Sequence, residues 1–429
     1  MDIGTSRASV RAKCLTGTIR IFCMRMLGAV NNNHILTIMK LNGWTLGLLT
    51  TGLVSLPGVL QAEEKPSSVL TALTPTTLSG YVDVSAQWNM GTGNDFVPAY
   101  AFGGSGKADG FNLNVVKLTL EKPVDAADVW GAGYKVDLLA GPDANLLATQ
   151  SNVATGASDF GVKQAYVALH APVGNGLDFK LGVWDTIIGY EVFESINNPN
   201  VTRSYGYTLE PTTHTGIQAA YQLTSEIAIT AGIANSFGPQ INGRAFPARA
   251  ESFKTYMGSI TFTAPTNWGA FSGATVTGCI ISGFNAGLGT AGKDETSFYI
   301  GASMNTPVTG LKVGACYDYL GVPQQSLGGS SYANAVGLYA SYQITEKLGI
   351  YGRGEYATSD TLNTAGANLI GGDKIFALTT TLQYDLWKNV LSRLEFRWDH
   401  SADDTNIYGT TPPNKGNSYI LLADIAYKF

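Results

Sequence analysis

The segment Leu391–His400, LSRLEFRWDH, alternates apolar and charged side chains over most of its length. Successive side chains of a β-strand point to opposite faces, so Leu394, Phe396 and Trp398 would share one face. The opposite face would carry the charged residues Arg393, Glu395, Arg397 and Asp399. A strand with one apolar and one charged face is expected where one side meets lipid and the other meets water, as in a transmembrane β-barrel.

Segments of this kind follow one another from Leu78 to Phe429, separated by turn-forming residues. They predict an all-β, antiparallel up-and-down barrel of about 16 strands, a size that leaves a water-filled lumen. Counts of fourteen or eighteen stay open. The predicted strands are Tyr81–Met90, Asn114–Glu121, Gly133–Ala140, Lys163–His170, Leu177–Ile188, Gly216–Leu223, Ile227–Ala234, Lys254–Ala264, Ala274–Phe284, Thr296–Met304, Leu311–Leu320, Ala335–Ile344, Leu348–Ala357, Ile375–Leu386, Leu391–His400 and Tyr419–Phe429.

The connections alternate between short and long along almost the whole region. Outer-membrane barrels have short periplasmic turns and long extracellular loops, whereas a soluble β-sandwich has no reason to alternate them. The clearest short links are Pro172–Gly176, Leu223–Glu226, Pro307–Gly310, Thr345–Lys347 and Trp387–Asn389. The long links are Gly91–Gly110, Pro142–Ser158, Gly189–His214, Phe237–Ala250, Gly287–Asp294, Val322–Tyr332, Thr358–Asp373 and Ala402–Asn417.

A cleavable secretion signal is predicted over residues 39–62. A lysine follows Met39, and an apolar stretch then runs to Leu60-Gln61-Ala62, where cleavage near Ala62 is expected. A retained helical anchor is the alternative, although Pro57-Gly58 interrupts the stretch early for a membrane span. Residues 1–38 fit neither a signal nor a fold, so translation is expected to start at Met39. Residues 63–77 would then form a short periplasmic linker before a barrel over 78–429.

Composition excludes several classes of function. Removal of residues 1–62 takes away six of 27 basic and one of 32 acidic residues, which leaves a net charge of about −10 and makes nucleic acid an improbable partner. This acidic excess favours cations modestly, but the loops hold much of it, so the sign of charge inside the lumen stays open. Cys279 and Cys316 lie two predicted strands apart and are interpreted as unpaired thiols without metal-site spacing.

The chain stops inside its last predicted strand. Phe429, Tyr427 and Ile425 alternate with polar or small residues, and this ending resembles the insertion signal that the barrel assembly machinery recognises in outer-membrane proteins. Ile420 and Leu422 depart from the pattern because they would place apolar side chains on the inner face. The resemblance implies assembly into an outer membrane, among its lipids.

Several short motifs carry a likeness to a known family. They are Leu78-Ser79-Gly80-Tyr81-Val82-Asp83, Gly189-Tyr190-Glu191, Asn198-Pro199-Asn200 through Arg203-Ser204-Tyr205, and Thr213-His214-Thr215-Gly216. With these motifs the region from Leu78 to Phe429 resembles the OmpL-like family of β-barrel porins. The resemblance implies an outer-membrane channel for passive diffusion of small hydrophilic solutes and ions. It implies no cofactor and no particular substrate, and assembly as a homotrimer stays open.

The third long loop, Gly189–His214, is the longest connection and the first candidate site. In porins the similarly placed loop folds into the lumen and narrows the pore, so this resemblance predicts that its polar side chains meet the barrel wall. A loop that stays outside the barrel is the alternative. The candidate constriction residues are Glu191, Glu194, Arg203, Tyr205, Tyr207 and Glu210.

The predicted inner wall supplies the second candidate site. Its charges could form a ladder that sets a transverse field across the channel, since rings of charge select ions. Neutral pairing in a solvated lumen is an equally weighted interpretation. The residues concerned are Arg353, Glu355, Arg393, Glu395, Arg397 and Asp399.

Catalysis is not predicted. His400 lies between Asp399 and Ser401, but neighbours along a strand face opposite sides, so their adjacency in sequence is no evidence of a triad. No metal site is predicted, because Asp403 and Asp404 lack the spacing of an EF-hand. A surface adhesin and an outer-membrane hydrolase remain as rival functions, and a substrate-selective channel, for example for sugars, remains within the porin class.

Overall fold

The computed structural model describes residues 76–91, 93–125, 129–150, 158–244, 253–284, 294–325, 329–360 and 370–429. The interpretations of residues 1–38, 39–62 and 63–75 fall outside this part of the chain. No helix among the described residues combines the length and apolar character needed to cross a membrane.

Sixteen strands form one closed antiparallel barrel. Each strand pairs with its neighbours in sequence, and β1 closes the barrel by pairing with β16 from Tyr81 opposite Lys428 to Asn89 opposite Ile420. The strands are β1 Thr77–Asn89, β2 Gly110–Lys122, β3 Gly131–Ala140, β4 Phe160–Ala171, β5 Leu177–Asp185, β6 Thr213–Gln222, β7 Ile227–Ala234, β8 Thr255–Thr263, β9 Thr275–Phe284, β10 Asp294–Asn305, β11 Leu311–Gln325, β12 Gly329–Gln343, β13 Leu348–Ser359, β14 Lys374–Trp387, β15 Val390–Ser401 and β16 Asn417–Lys428. Closure leaves no sheet edge unpaired in the hydrocarbon region, and the predicted fold class and strand number are confirmed.

Among the described residues, helical structure is confined to the connections between strands. Two short α-helices, α1 Pro142–Leu147 and α2 Tyr205–Leu209, lie in the second and third long links. Three 3₁₀ turns cover Ser105–Lys107, Ser195–Asn197 and Thr266–Phe271. The last of these fills the connection between β8 and β9, which is longer than the other turns at its end of the barrel.

The strand faces follow the predicted alternation. On β15, Leu394 points outward and is 50% exposed, whereas Arg397 points inward and is fully buried. Aromatic pairs lie on the outer surface, where porins carry aromatic girdles at the membrane interfaces. Examples are Trp88 with Phe111, Phe376 with Trp398, and Phe396 with Tyr419.

Several predicted strand boundaries differ from those observed, for example those of β1 and β2, which begin at Thr77 and Gly110. β5 ends at Asp185 rather than Ile188, because Ile187 and Ile188 are consecutive apolar residues that both pack into the lumen. The long link Val322–Tyr332 is largely strand, since β11 and β12 continue to Gln325 and from Gly329. Ladder hydrogen bonds join backbone groups, so polar residues can extend a strand pair beyond the apolar region.

The carboxy-terminal strand joins the amino-terminal one through its last residue. The Phe429 and Gly80 backbones exchange hydrogen bonds of 3.0 and 2.9 Å. Phe429, Tyr427 and Ile425 face outward, and their role as an assembly signal stays a prediction. The departures Ile420 and Leu422 do face inward, but they are buried against Tyr100 and Val201 from two long loops rather than exposed to water.

Candidate functional site in the barrel lumen

The connection between β5 and β6, residues 186–212, is called L3 here, and it folds into the barrel. Arg203, Tyr205 and Glu191 on L3 are all buried. α2 begins within L3, and Ser204 caps it by accepting a hydrogen bond from the Tyr207 backbone N–H at 2.9 Å. A serine at this position satisfies a backbone donor that the first helical turn leaves free. L3 therefore has defined local structure inside the lumen.

One side of L3 is apolar and packs against a large part of the wall. Ile187, Ile188, Tyr205 and Leu209 belong to one buried cluster with inward residues of β7 to β14. The wall members include Ala234, Met257, Cys279, Ile281, Tyr299, Cys316, Leu320, Ala333, Ala335, Tyr339, Ala357, Ile375 and Ala377. This packing explains why an aqueous barrel carries inward isoleucines, methionine and cysteines. Cys279 and Cys316 are free thiols in this cluster.

Tyr190 fixes the start of L3 against β11 and β12. Its ring stacks on Tyr339, with centroids 4.0 Å apart and planes 21° from parallel. Its hydroxyl lies where a side chain of Gly314 would begin, since a Cβ there would be 2.0 Å from Tyr190 Oη. Gly314 is thus required for close approach of L3 to the wall.

The other side of L3 is polar and meets the charged wall. Arg353 on β13 donates hydrogen bonds to Glu191 of L3 at 2.8 Å and to Glu355 at 2.7 Å. It also donates to the Thr202 carbonyl at 2.7 Å. A planar guanidinium with several fixed donors can serve all these acceptors at once. Arg353 therefore links Glu355 of its own strand to Glu191 and to the backbone of L3.

Wall carboxylates bind the L3 backbone directly. Glu355 accepts a hydrogen bond from the Tyr205 N–H at 2.6 Å. Glu395 accepts from the N–H groups of Val201 and Thr202 at 2.5 and 2.9 Å. Hydrogen bonds to a charged acceptor are stronger than neutral ones. These contacts specify the path of the main chain, not only the side chains.

Two further arginines complete the attachment. Arg397 forms hydrogen bonds to Asp399, the shortest at 2.8 Å, and donates to the Arg203 carbonyl at 2.7 Å. Arg393 donates to Asp424 at 2.8 Å and to the Ser195 carbonyl at 2.7 Å. Both guanidinium groups are buried and paired. All six predicted wall residues thus contact L3: the three arginines are each paired with a carboxylate, and Glu395 accepts hydrogen bonds from the L3 backbone and from Thr381.

Arg203 itself stays within the loops. Its guanidinium donates to the carbonyls of Val201, at 2.7 Å, and Phe193. It also lies 5.5 and 5.7 Å from the ring centroids of Phe102 and Tyr207. Arg203 therefore shapes L3 and the first long loop, and it does not reach the wall carboxylates that the sequence suggested.

Glu194 contacts two lysines on the opposite wall, and the sequence analysis did not identify these partners. It contacts the ammonium groups of Lys117 on β2 and Lys163 on β4, the latter at 3.2 Å. Burial alone would raise the pKa of Glu194, but these two cations outweigh it and hold that pKa well below its ordinary value. Lys163 is an extra residue where the β3–β4 register shifts, so a bulge turns both it and Gln164 inward. Strict alternation could not have revealed this.

Glu210 has a different environment at the end of L3. Its carboxyl lies beside Asp318 of β11, and Oε2 of Glu210 and both carboxyl oxygens of Asp318 have no hydrogen-bond donor among the described residues. Burial, reinforced by the charge of Asp318, raises the pKa of Glu210 well above its ordinary value. Burial and the neighbouring carboxyl group of Asp318 therefore favour the neutral form of Glu210, in contrast to Glu194.

One part of the wall remains accessible beside L3. Several inward side chains of β3 to β7 are only half-buried, although others such as Asp137 and Trp184 are fully buried, whereas the inward charged side chains of β13 and β15 are all buried. These accessible residues include Lys135, Tyr166, Ala168, Lys180, Ala220 and Thr230. L3 is thus attached across most of the barrel and leaves this side of the lumen open to water.

The residues considered for catalysis are separated. Asp399 is buried in the lumen, whereas His400 points outward, 5.8 Å from the Trp398 ring centroid, and bonds Asn417 at 3.0 Å. Within the described ranges, no three His, Cys, Asp or Glu residues are grouped so as to hold a metal ion. The polar chemistry of the lumen is consequently that of ion pairs and hydrogen bonds.

Solved structures of outer-membrane barrels resemble this fold. The outer membrane channel DcaP of Acinetobacter baumannii is 12% identical, with a TM-score of 0.55 over 82% of this chain and 97% of that chain. The anion-selective porin from Comamonas acidovorans is 13% identical, with a TM-score of 0.54 over 82% and 99%. In-vitro folded OmpT of Vibrio cholerae, in its trimer form, is 13% identical, with a TM-score of 0.51 over 82% and 99%. At these identities the likeness concerns the fold.

The sequence comparison identifies the family. No curated protein sequence shows significant similarity to the chain. Residues 75–429, however, match the model of the family described as "Putative beta-barrel porin-2, OmpL-like". This match covers the whole barrel and agrees with the closed sixteen-stranded topology. The chain therefore belongs to the OmpL-like β-barrel porin family and is an outer-membrane porin.

Proposed function

We propose that the barrel passes small hydrophilic solutes and ions by passive diffusion, and that L3 forms its constriction. The observation that carries this proposal is the asymmetry of the lumen. L3 is bound to β13–β16 by buried charged groups, whereas part of the inward surface of β3–β7, including Lys180, Ala220 and Thr230, is only half-buried. Solutes would pass between L3 and that accessible wall, so selection would depend on size and on the few charges there.

In this proposal the predicted site residues hold L3 in place. Glu191, Glu194, Arg203, Tyr205 and Glu210 belong to the constriction, and the six charged wall residues anchor it. Buried pairs are costly to break, at about 3–5 kcal/mol for removal of one partner. Several such pairs act on one loop, so L3 would keep its position while solutes diffuse past it.

The test is single-channel recording from the mature chain beginning at Glu63, folded in detergent and added to a planar bilayer. Stable ohmic steps are expected. A folded protein, identified by its heat-modifiable gel mobility, that gives no current would contradict the proposal and favour a surface adhesin. Turnover of a lipid or peptide substrate that is lost in His400→Ala or Ser401→Ala would favour the hydrolase.

We further infer a homotrimer, since the similar OmpT barrel of Vibrio cholerae is described in a trimer form. The outward apolar face of this chain would then meet outer-membrane lipids on one part and neighbouring subunits on another. Light scattering of the detergent complex, corrected for bound detergent, measures the protein mass. A mass of one chain per particle would contradict the trimer.

We propose that sequences near the two ends of the chain direct its secretion and its assembly into the membrane. The signal over residues 39–62 would be cleaved near Ala62, and the barrel assembly machinery would recognise Ile425, Tyr427 and Phe429. Amino-terminal sequencing of protein from the outer membrane should begin at Glu63. A start within residues 1–38 would contradict both the cleavage site and the expected translation start at Met39.

A further inference from the structure

The strands beside the accessible part of the lumen are almost free of charge. β5 to β9 are described in full, and their acidic and basic residues, histidine apart, are Asp178, Lys180 and Asp185, all on β5. The inward positions of β6 to β9 carry glycine, alanine, serine, threonine and apolar side chains for the most part. A charged group that lacks a partner on this wall would therefore dominate the local potential.

The two carboxylates on β5 are paired. Asp178 lies 2.6 Å from Nδ1 of His170 on β4. Asp185 accepts a hydrogen bond from the buried ammonium group of Lys163. Both acids are thus engaged with groups on the neighbouring strand, and neither is directed at Lys180.

Lys180 has no such partner. Its Nζ lies 5.1 Å from the centroid of the Tyr166 ring, and no hydrogen-bond acceptor or carboxylate contacts it among the described residues. The other inward lysines of this side do contact acids. Lys117 lies 3.1 Å from Asp137, Lys135 lies 3.4 Å from Glu121, and Lys163 lies 3.2 Å from Glu194.

The surroundings of Lys180 leave room for a solute. Ala168 on β4 and Gln218 on β6 are its register partners, and Ala220 and Thr230 follow on the next positions of the wall. These side chains are short or neutral. The Tyr166 ring can stabilise the ammonium group by a cation–π contact without neutralising it. The site thus presents one positive charge, flanked by hydrogen-bonding groups, to the water-filled space.

We infer that Lys180 is a binding site for small anionic solutes on the permeation path and that it gives the channel a preference for anions. This inference rests on the proposed function, and it concerns the passage beside L3. The preference would oppose the net negative charge of the whole mature chain, because the paired charges elsewhere in the lumen cancel at short range. Among the described residues no carboxylate is in ion-pair contact with this ammonium group, so its charge is available to a passing anion.

The test compares Lys180→Gln and Lys180→Glu with the wild type in planar bilayers across a KCl gradient. Lys347→Gln, at an exposed lysine of the turn between β12 and β13, is the matched control. Loss of a unit charge near a passing ion should lower the chloride-to-potassium permeability ratio about five-fold in Lys180→Gln. The ratio should fall further in Lys180→Glu and stay at the wild-type value in Lys347→Gln.

The outcomes separate this inference from the proposed function. A conducting wild type with equal ratios in Lys180→Gln and Lys347→Gln would overturn the anion site and leave the porin intact. A folded wild type that carries no current would overturn the proposed function. Calorimetric titration of the folded protein with citrate would then test whether Lys180 binds an anion. Citrate binding that is weaker in Lys180→Gln than in Lys347→Gln would support the site, and equal binding would overturn it.

Discussion

The Tyr205 hydroxyl donates a 2.8 Å hydrogen bond to Oδ1 of Asp399, which joins the middle of L3 to a strand 194 residues later in the chain. Both groups are fully buried, and Asp399 is held in turn by Arg397. A buried phenol needs a polar partner, and a buried carboxylate needs a donor or a cation. This contact gives the Tyr205 hydroxyl of L3 a hydrogen-bond acceptor and gives the Asp399 carboxylate of the wall a donor.

Replacement of Tyr205 by phenylalanine removes this hydrogen bond and preserves the ring. The free energy of unfolding should fall by about 1 kcal/mol, because Asp399 loses one donor and retains Arg397. Urea unfolding of the barrel in lipid vesicles measures the change. Tyr221→Phe, near the end of β6, is the control, since its hydroxyl accepts only a long 3.3 Å hydrogen bond from the Asn175 backbone N–H in an exposed turn. Equal losses in the two variants would indicate that the L3 contact adds nothing specific.

Arg353→Gln should have a larger effect. The change leaves Glu191 and Glu355 buried without their shared cation, so unfolding should become easier by about 3–5 kcal/mol. L3 should also loosen, and single-channel conductance should rise with greater current noise. Arg244→Gln, at an exposed arginine of the fourth long loop, should change neither quantity. Unchanged conductance in a folded Arg353→Gln barrel would mean that L3 does not depend on this anchor.

Glu194→Gln should destabilise the barrel in a pH-dependent way. The folded-state pKa of Glu194 lies below its unfolded value of about 4.5, so its ionised form stabilises the fold above that value. This stabilisation is lost as pH falls through the folded pKa. The difference in unfolding free energy between wild type and Glu194→Gln should therefore be largest at pH 6–8 and shrink below about pH 4. A difference that does not vary with pH would argue against ionised Glu194.

Glu210→Gln should change the pH dependence of the unfolding free energy in the opposite direction to Glu194→Gln. Its folded-state pKa is raised above the unfolded value of about 4.5, so the wild type loses stability as pH rises from that value toward the folded pKa. An amide cannot ionise, and the variant escapes this loss. Glu210→Gln should consequently be more stable than the wild type at pH 8 and nearly equal to it at pH 4. A variant that is less stable than the wild type at pH 8 would contradict a raised folded-state pKa of Glu210.

Gly314→Ala tests the close approach of L3 to β11. The added methyl group would meet the Tyr190 hydroxyl, which lies 2.0 Å from the Cβ position, so the ring must move away from Tyr339. Overpacking of this kind costs about 1–3 kcal/mol. Gly352→Ala, at a similar height on β13 but facing outward with open space around it, is the control. Equal stability of the two variants would show that Tyr190 repacks without loss.

Much of the fold follows from alternation in the sequence. The pattern of β15 predicts an inward Arg393, Glu395, Arg397 and Asp399, because a barrel in lipid tolerates such a row on one face only. Strand number and closure follow from repetition of that pattern. Ile187 and Ile188 depart from the alternation of apolar and polar residues, because consecutive apolar residues can both be buried once a loop fills the lumen. The same packing explains the inward Ile420 and Leu422.

The partners of the site could not be predicted in the same way. Glu191 meets Arg353 across 162 residues of chain, and nothing in either local pattern encodes that pairing. Lys163 was hidden by a bulge, which shifts side chains to an unexpected face. Lys180 lies on the predicted strand Leu177–Ile188, but only the three-dimensional arrangement distinguishes it from the paired lysines around it.

The barrel is proposed to be an open channel whose lumen L3 narrows without closing. Single-channel recording of the folded mature chain in KCl is the decisive test. Stable ohmic steps are expected, and their conductance should rise when Arg353→Gln releases L3. Absence of current from protein with the gel mobility of a folded barrel would contradict the proposal, because L3 would then close the lumen completely.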